Sequence, residues 1–325
     1  MTLPITLRSG LRAELDGFAY LRESFKLSAR ALLYRRQTAR WLQLLNSHPL
    51  FGQMLPTCPR LVNKIYRSYF STRLGCQDRL DVLQTHYDVV IRRGLAPLVA
   101  RAAHAPVVLC RLQARCPNSD YRIELRAGGV LGREGELILQ LVHGAELLVS
   151  IAFSFLRNES GIAIGIGCLQ GTPGSGSLEA IRCATRELHG ARPKNLLVRM
   201  VRQVGYDLGC EQLVLVGNRN RVVTSSMRQG KVHADYDGLW VEMNAWRRAD
   251  GDFGLACEDL PAPRMEEIAS KKRSEARKRH EMLLGAVEAI RAQLVRSQRS
   301  LLPLRLVHSS GAAPRIAPAP LLHQA

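Results

Sequence analysis

Between residues 20 and 70 the apolar positions recur at close to the helical period. In "KLSARALLYRRQTARWLQLLNS", Leu27, Leu32, Leu33, Trp41, Leu42 and Leu45 alternate with Arg30, Arg35, Arg36 and Arg40. Such spacing predicts amphipathic helix with the arginines turned outward. "NSHPLFGQMLPTCP" reads as a break, because Pro49, Pro56 and Pro59 cannot sit inside a helix. "RLVNKIYRSYF" and "CQDRLDVLQTHYDVVIRRG" read as helix again, the second capped by Asp78 and ended by Gly94.

The period changes near residue 121. "YRIELRA" alternates Tyr121, Ile123 and Leu125 with charged neighbours, which predicts a strand. "ELILQLV", "ELLVSIAFSFL" and "IAIGIGCLQG" follow, joined by the turn-rich "GGVLGREG", "HGA" and "RNESG". Short connections favour an antiparallel meander over about 121–169. After the loop "GTPGSGS", Leu178, Ile181, Ala184, Thr185 and Leu188 define a short helix, and Gly190 suits its C-terminal cap. A second helix buries Leu197, Met200, Val201, Val204 and Leu208 and stops at Gly209. "EQLVLVGN" is a near-continuous apolar strand, a pattern typical of strands covered on both faces. A short helix from about Asp237 and a last strand in "DGDFGLA" complete the middle. Beyond the linker "LPAPR", a long helix starts basic and then carries the stripe Met282, Leu283, Val287, Ile290 and Leu294.

The expected fold class is α/β (α+β). A helical N-terminal region precedes a central mixed sheet, built on the meander with helices packed on it, and a long basic C-terminal helix follows. The expected division is 1–120 basic helical, 121–262 mixed α/β core, 263–300 basic amphipathic helix, and 301–325 a disordered Pro/Ala-rich tail.

Charge sharpens this division. The 325-residue chain has a formal net charge of +18. Residues 1–120 hold 18 Lys/Arg against 7 Asp/Glu, residues 121–262 hold 16 of each, and residues 263–325 hold 12 against 5. A neutral middle between two basic ends is drawn to polyanions: an anionic ligand, an acidic membrane surface, or nucleic acid. The same ends also read as solvated helix faces with no partner. Nucleic acid ranks below lipid, because aromatics are only 6% of the chain and no stacking platform or known module stands out. The longest apolar run is broken by His143, Gly144 and Glu146, so no spanning helix is expected. The N-terminus has no signal-peptide core before Glu14 and Asp16, so the expected location is the cytoplasm, with a peripheral position at the inner membrane open to it. The eight scattered cysteines lack any C-x-x-C pair, so neither a metal site nor a disulfide framework is expected.

Candidate chemistry lies in three places. In "HGARPKNLL", Pro193 fits the first helical turn, where free backbone N–H groups and the helix dipole favour an anion. Arg192 and Lys194 add charge there, although Pro193 removes one donor. A plain helix start with solvated cations is the commoner reading of the same residues. "CLQGTPGSGS", between strand and helix, has phosphate-cradle geometry but lacks the Gly-Lys-Ser/Thr of a Walker loop. "KVHADYDGLW" packs Lys231, His233, Asp235, Tyr236 and Asp237 together. His233 beside two carboxylates suits a general base, while an aspartate there also suits a helix cap. A serine hydrolase is excluded for want of a G-x-S-x-G elbow.

Taken in order, "THYDVV", "IAFSF", "IGCLQG", "IRCATRELHGARPKNLLV", "KVHADYDGLW" and "IASKKRSEARKRHEML" resemble the VirK/YbjX family of bacterial proteins over roughly residues 30–285. The chain departs from it at Ala276 and His280, where similar proteins tend to carry aromatics. The resemblance implies a link to virulence, to resistance against cationic antimicrobial peptides and to the cell envelope, with no reaction attached. The matching positions supply the candidates. His233, Asp235, Asp237, Tyr236 and His189 are the catalytic set, and Gln170, Gly171, Gly190, Arg192, Lys194 and Asn195 are the ligand-binding set.

The element order also resembles the GNAT acyltransferase fold. There the acyl-CoA pyrophosphate sits at the start of the helix after the meander, which implies acyl-CoA as a ligand at "CLQGTPGSGS" or "HGARPKN". This chain inserts the helix "LEAIRCATRELHG" and lacks the usual R/Q-x-x-G-x-G/A loop. Two functions follow: an acyl-CoA-dependent transferase, or a non-catalytic cationic protein that docks on anionic lipid.

Overall fold

The computed structural model describes residues 3–11, 17–129, 131–172, 176–223 and 234–299. The expected tail lies outside them, as do Lys231 and His233. The N-terminal part is helical: α1 (Gly17–Leu33), α2 (Arg35–Leu45), α3 (Pro49–Met54), α4 (Cys76–Arg92) and α5 (Ala96–His104). The proline-rich segment is not a plain break. Pro49 opens α3, where its missing N–H costs nothing, and the His48 ring accepts the Leu50 N–H at 3.1 Å. "RLVNKIYRSYF" forms two single 3-10 turns rather than a helix. It crosses the structure there, and its Val62 carbonyl accepts the buried Trp41 indole N–H at 3.0 Å. Gly75, not Asp78, is the cap residue of α4; Asp78 reaches back from the first turn to accept the Gly75 N–H at 2.8 Å.

The strands form one sheet. β1 (Val107–Leu112), β2 (Tyr121–Ala127), β3 (Leu137–His143), β4 (Glu146–Asn158), β5 (Gly161–Gly171), β6 (Gln212–Leu215), β7 (Trp246–Arg247) and β8 (Phe253–Ala256) lie in the order β1-β2-β3-β4-β5-β6-β8-β7. β1 falls inside the segment expected to be helical: Pro106 stops α5, and the β-branched Val107 and Val108 extend the chain along β2. The pairs from β1 through β5 are antiparallel, β5 and β6 are parallel, and the last two pairs are antiparallel.

Two features open the middle of this sheet. Gly167 is the extra residue of a bulge, because Ile166 pairs with Phe153 and Cys168 with Ala152. A side chain at Gly167 would meet the Glu134 carbonyl oxygen at 2.0 Å, so only glycine fits. β6 pairs with β5 only through Ile164–Ile166. β5 then continues to Gly171 with no strand among the described residues along that edge.

The crossover from β5 to β6 holds α6 (Ser177–Glu187) and α7 (Pro193–Asp207). α7 packs on β3–β6 through the expected stripe, and Gly209 ends the segment with φ of 75°. α8 (Tyr236–Glu242) follows β6, and α9 (Ser270–Arg299) runs against β1, α5 and α7. Arg291 of α9 holds Asp207 at 2.7 and 2.9 Å and Asp259 at 3.0 Å. One apolar core runs from Trp41 through the sheet to Leu294, so the basic flanks and the neutral middle share it. All eight cysteines are free.

Candidate functional site

The end of β5, the starts of α6 and α7, and one side of α8 enclose a cavity of about 790 Å³. Gly171 and Thr172 form its floor, and Leu178, expected to be buried, instead faces it. Arg182, Arg186, Arg192 and Lys194 surround it against Glu179 and Glu242. Arg186 and Arg182 pair with Glu179 at 3.3 and 3.9 Å, and Arg192 pairs with Glu242 at 3.6 Å. Lys194 and the Asn195 side chain have no partner among the described residues, which leaves the cavity positive.

α7 starts without a side-chain cap. Arg192 is the extended residue before it, Pro193 occupies the first position, and the Leu196 N–H already returns to the Arg192 carbonyl at 3.0 Å. The amides of Lys194 and Asn195 are therefore the orphan donors at the positive end of a 15-residue helix.

The other sequence candidates fall elsewhere. Gln170 is next to Gly171, but strand alternation turns it to the opposite face of the sheet, where it lines a groove with Gln140 and Ser150. His189 and Gly190 both have positive φ and terminate α6. Their side faces α9: the His189 carbonyl accepts from Arg279 at 3.2 Å, and burial followed by the Arg115 charge lowers the His189 ring pKa. Asp235 caps α8, accepting the Gly238 N–H at 3.2 Å and the Asn218 side-chain amide at 2.7 Å. The Asn218 bond, then that of Gly238, lowers its pKa. Asp237 accepts the Asn218 backbone N–H at 2.8 Å. These two carboxylates fasten α8 to the turn after β6, and α8 in turn presents Leu239 and Glu242 to the cavity.

Tyr236 is buried, and its phenol enters the gap where β5 leaves β6. It accepts the Leu169 N–H at 2.7 Å and donates to the Cys168 sulfur at 3.5 Å. The Arg221 guanidinium lies 3.7 Å from its ring centroid. Burial, then the Cys168 charge, keeps the phenol protonated far above the usual range. Thus Gly171, Arg192, Lys194 and Asn195 share one cavity, Asp235, Tyr236 and Asp237 fix its far wall, and Gln170, His189 and Gly190 are outside it.

A second polar centre has no signature in the sequence. Glu136 is fully buried, pairs with Lys64, and accepts the Tyr87 hydroxyl at 2.6 Å. Its N–H donates to Ser154 Oγ at 3.0 Å, which also meets the Tyr69 hydroxyl at 2.7 Å. Burial alone would raise the Glu136 pKa; the Lys64 charge, then that of His86, outweighs it and lowers the value. Nearby, His86 Nδ1 accepts the Phe155 N–H at 3.2 Å, and burial pushes this ring down to about 4. Among the described residues no group of three or more His, Cys, Asp or Glu is placed to hold a metal.

These elements define a mixed α/β protein with a cationic cavity at the crossover of its sheet. The chain belongs to the family whose model is described as a protein of unknown function (DUF535), matched over residues 16–292, and its kinship with the VirK/YbjX proteins holds. It is 27% identical over 280 residues to the uncharacterized protein YbjX of Escherichia coli (strain K12), covering 84% of this chain and 83% of that one. An uncharacterized protein of Haemophilus influenzae is 25% identical over 271 residues, covering 81% and 87%. Among solved structures, a cAMP-binding acyltransferase from Mycobacterium smegmatis matches with a TM-score of 0.28 and 12% identity, over 70% of this chain and 65% of that one.

Proposed function

We propose that the cavity at the start of α7 binds the phosphates of an acyl-CoA, and that the protein is an acyl-CoA-dependent transferase with a GNAT-like core. The observation that carries this reading is the uncapped start of α7, with two orphan amides beside an unpaired lysine, at the end of a strand whose edge is open. Backbone amides at a helix start are suited to phosphate oxygens, and Lys194 and Arg192 add charge. When bound, acyl-CoA supplies a thioester whose acyl group passes to an amine or hydroxyl. Past Tyr236, the exposed end of that edge at Gln170 and Gly171 offers backbone hydrogen bonds to an extended amide chain. His233 and Asp235 remain candidates for taking the acceptor's proton. A tie to envelope modification, virulence or antimicrobial-peptide resistance follows from the kinship and is part of this proposal. Calorimetric titration with acetyl-CoA and longer acyl-CoAs tests it. Binding tighter than about millimolar is expected, and affinity no better than that, about 4 kcal/mol, ends the reading.

A second reading, docking on anionic lipid at the inner face of the membrane, is favoured by α1. Leu27, 6% exposed, anchors the helix, while Phe18, Leu21, Phe25 and Leu32 on the opposite face are 81%, 65%, 76% and 70% exposed. Arg22, Lys26 and Arg30 flank that ridge. No helix among the described residues is long and apolar enough to cross a membrane. Flotation with acidic vesicles at low and high salt tests this reading; binding indifferent to salt contradicts an electrostatic contribution.

A further inference from the structure

A second cavity, of about 490 Å³, opens from the Lys64–Glu136 polar centre, between the turns that follow α3 and the loop joining β2 to β3. Its rim carries Arg60, Arg67 and Arg133, and Lys64, Tyr69 and Glu136 line its interior. Among the described residues none of the three guanidiniums has a carboxylate within 4 Å. Arg60 and Arg67 hold no hydrogen bond either, while Arg133 donates to the Ser68 and Val222 carbonyls at 3.4 and 3.0 Å and is fixed in place. Arg60 and Arg133 both line the same cavity as Arg67 and lie close enough to repel it. Burial first, then the charges of Arg60, Arg133 and Arg30, lowers the Arg67 pKa.

Like charges gathered at a concave mouth are unfavourable unless something offsets them. In the interior, Glu136 is already neutralised by Lys64 and Tyr87, so it does not serve the rim. The planar, multiply donating guanidinium matches phosphate oxygens better than any other cation does. Two consecutive glycines with positive φ, Gly128 (68°) and Gly129 (86°), carry the β2–β3 loop past the opening without side chains. Met54 and Leu61 supply an apolar side to the same hollow.

We propose that this cavity is a second ligand site, for a phosphorylated molecule whose phosphate sits on Arg60, Arg67 and Arg133 and whose remainder lies along Met54 and Leu61 toward the Lys64–Glu136 pair. It is separate from the α7 cavity, and failure of acyl-CoA binding leaves it standing. The phosphate belongs either to a soluble ligand or to a lipid headgroup; Arg30 of the outward-facing α1 is close enough to Arg67 to act on it, so both sources reach this mouth.

The test titrates inorganic pyrophosphate into the full-length protein at constant ionic strength. Three proteins are compared: the unaltered chain, Arg60→Gln/Arg67→Gln, and Arg192→Gln/Lys194→Gln. Neither Arg60 nor Arg67 holds the fold together by a hydrogen bond, and Arg60→Gln alone, at an exposed position, serves if the double variant melts early. Expected is binding by the first and third proteins; the second keeps only the α7 cavity and loses the binding event at this one by at least about tenfold. No binding by the unaltered chain, or equal affinity in Arg60→Gln/Arg67→Gln, overturns the proposal. Flotation with phosphatidate-containing vesicles assigns the source. Capture lost along with pyrophosphate binding supports a lipid phosphate, and capture retained while pyrophosphate binding is lost supports a soluble ligand.

Discussion

The phenol oxygen of Tyr236 lies 2.7 Å from the Leu169 backbone nitrogen and accepts its hydrogen. Leu169 stands just past the Gly167 bulge, where β5 has already lost β6. One side chain from α8 thus replaces a missing strand for one amide. Tyr236→Phe keeps the ring's packing and leaves that buried amide unpaired. The expected loss is about 1–3 kcal/mol, read as a lower urea midpoint with unchanged m-value.

The Lys64–Glu136 pair joins the turn after α3 to the start of β3. Lys64→Met strands a buried carboxylate, and about 3 kcal/mol of stability should go with it. Lys64→Met/Glu136→Gln removes both charges and should recover part of that. A double-mutant cycle by urea denaturation checks the coupling; strictly additive losses would contradict it.

His86 gives a pH dependence of known sign. Burial holds its folded pKa at about 4, below the ordinary value of about 6.5, so the folded state favours the neutral ring. The unfolded chain binds the extra proton between those values. Stability is therefore fully present above about pH 6.5 and falls as the pH drops toward 4, by about 3 kcal/mol from this ring. Chemical denaturation across that window should show a steeper fall for the unaltered protein than for His86→Asn.

If α1 meets lipid, its outward aromatics carry the contact. Phe18→Ser/Phe25→Ser alters exposed positions, so melting should be unchanged while capture on acidic vesicles drops several-fold. Equal capture would remove α1 from the docking surface.

Much of the frame was legible because burial imposes a period. The α7 stripe from Leu197 to Leu208 and the α9 stripe from Met282 to Leu294 lie buried where the pattern put them. β1 was hidden because its few residues follow a helix directly and Arg111 interrupts them. The 3-10 turns around Lys64 imitate helix locally, while tertiary partners such as Trp41 and Glu136 set their path. In the candidate site, Arg192, Lys194 and Asn195 could be found because Pro193 marks a helix start. Gln170 and Gly171 are adjacent in sequence, so alternation puts them on opposite faces, and the bulge at Gly167 sets which of the two turns toward the cavity. Lys64 and Glu136 are 72 residues apart, and nothing local announces that they meet.

The central claim is that the first amides of α7 hold the phosphates of acyl-CoA. Hydrogen–deuterium exchange with and without acetyl-CoA reads those amides directly. The account predicts slowed exchange at Lys194 and Asn195, together with Gly171 and Thr172 on the cavity floor. Unchanged exchange at all four, at a ligand concentration that saturates binding, would contradict it.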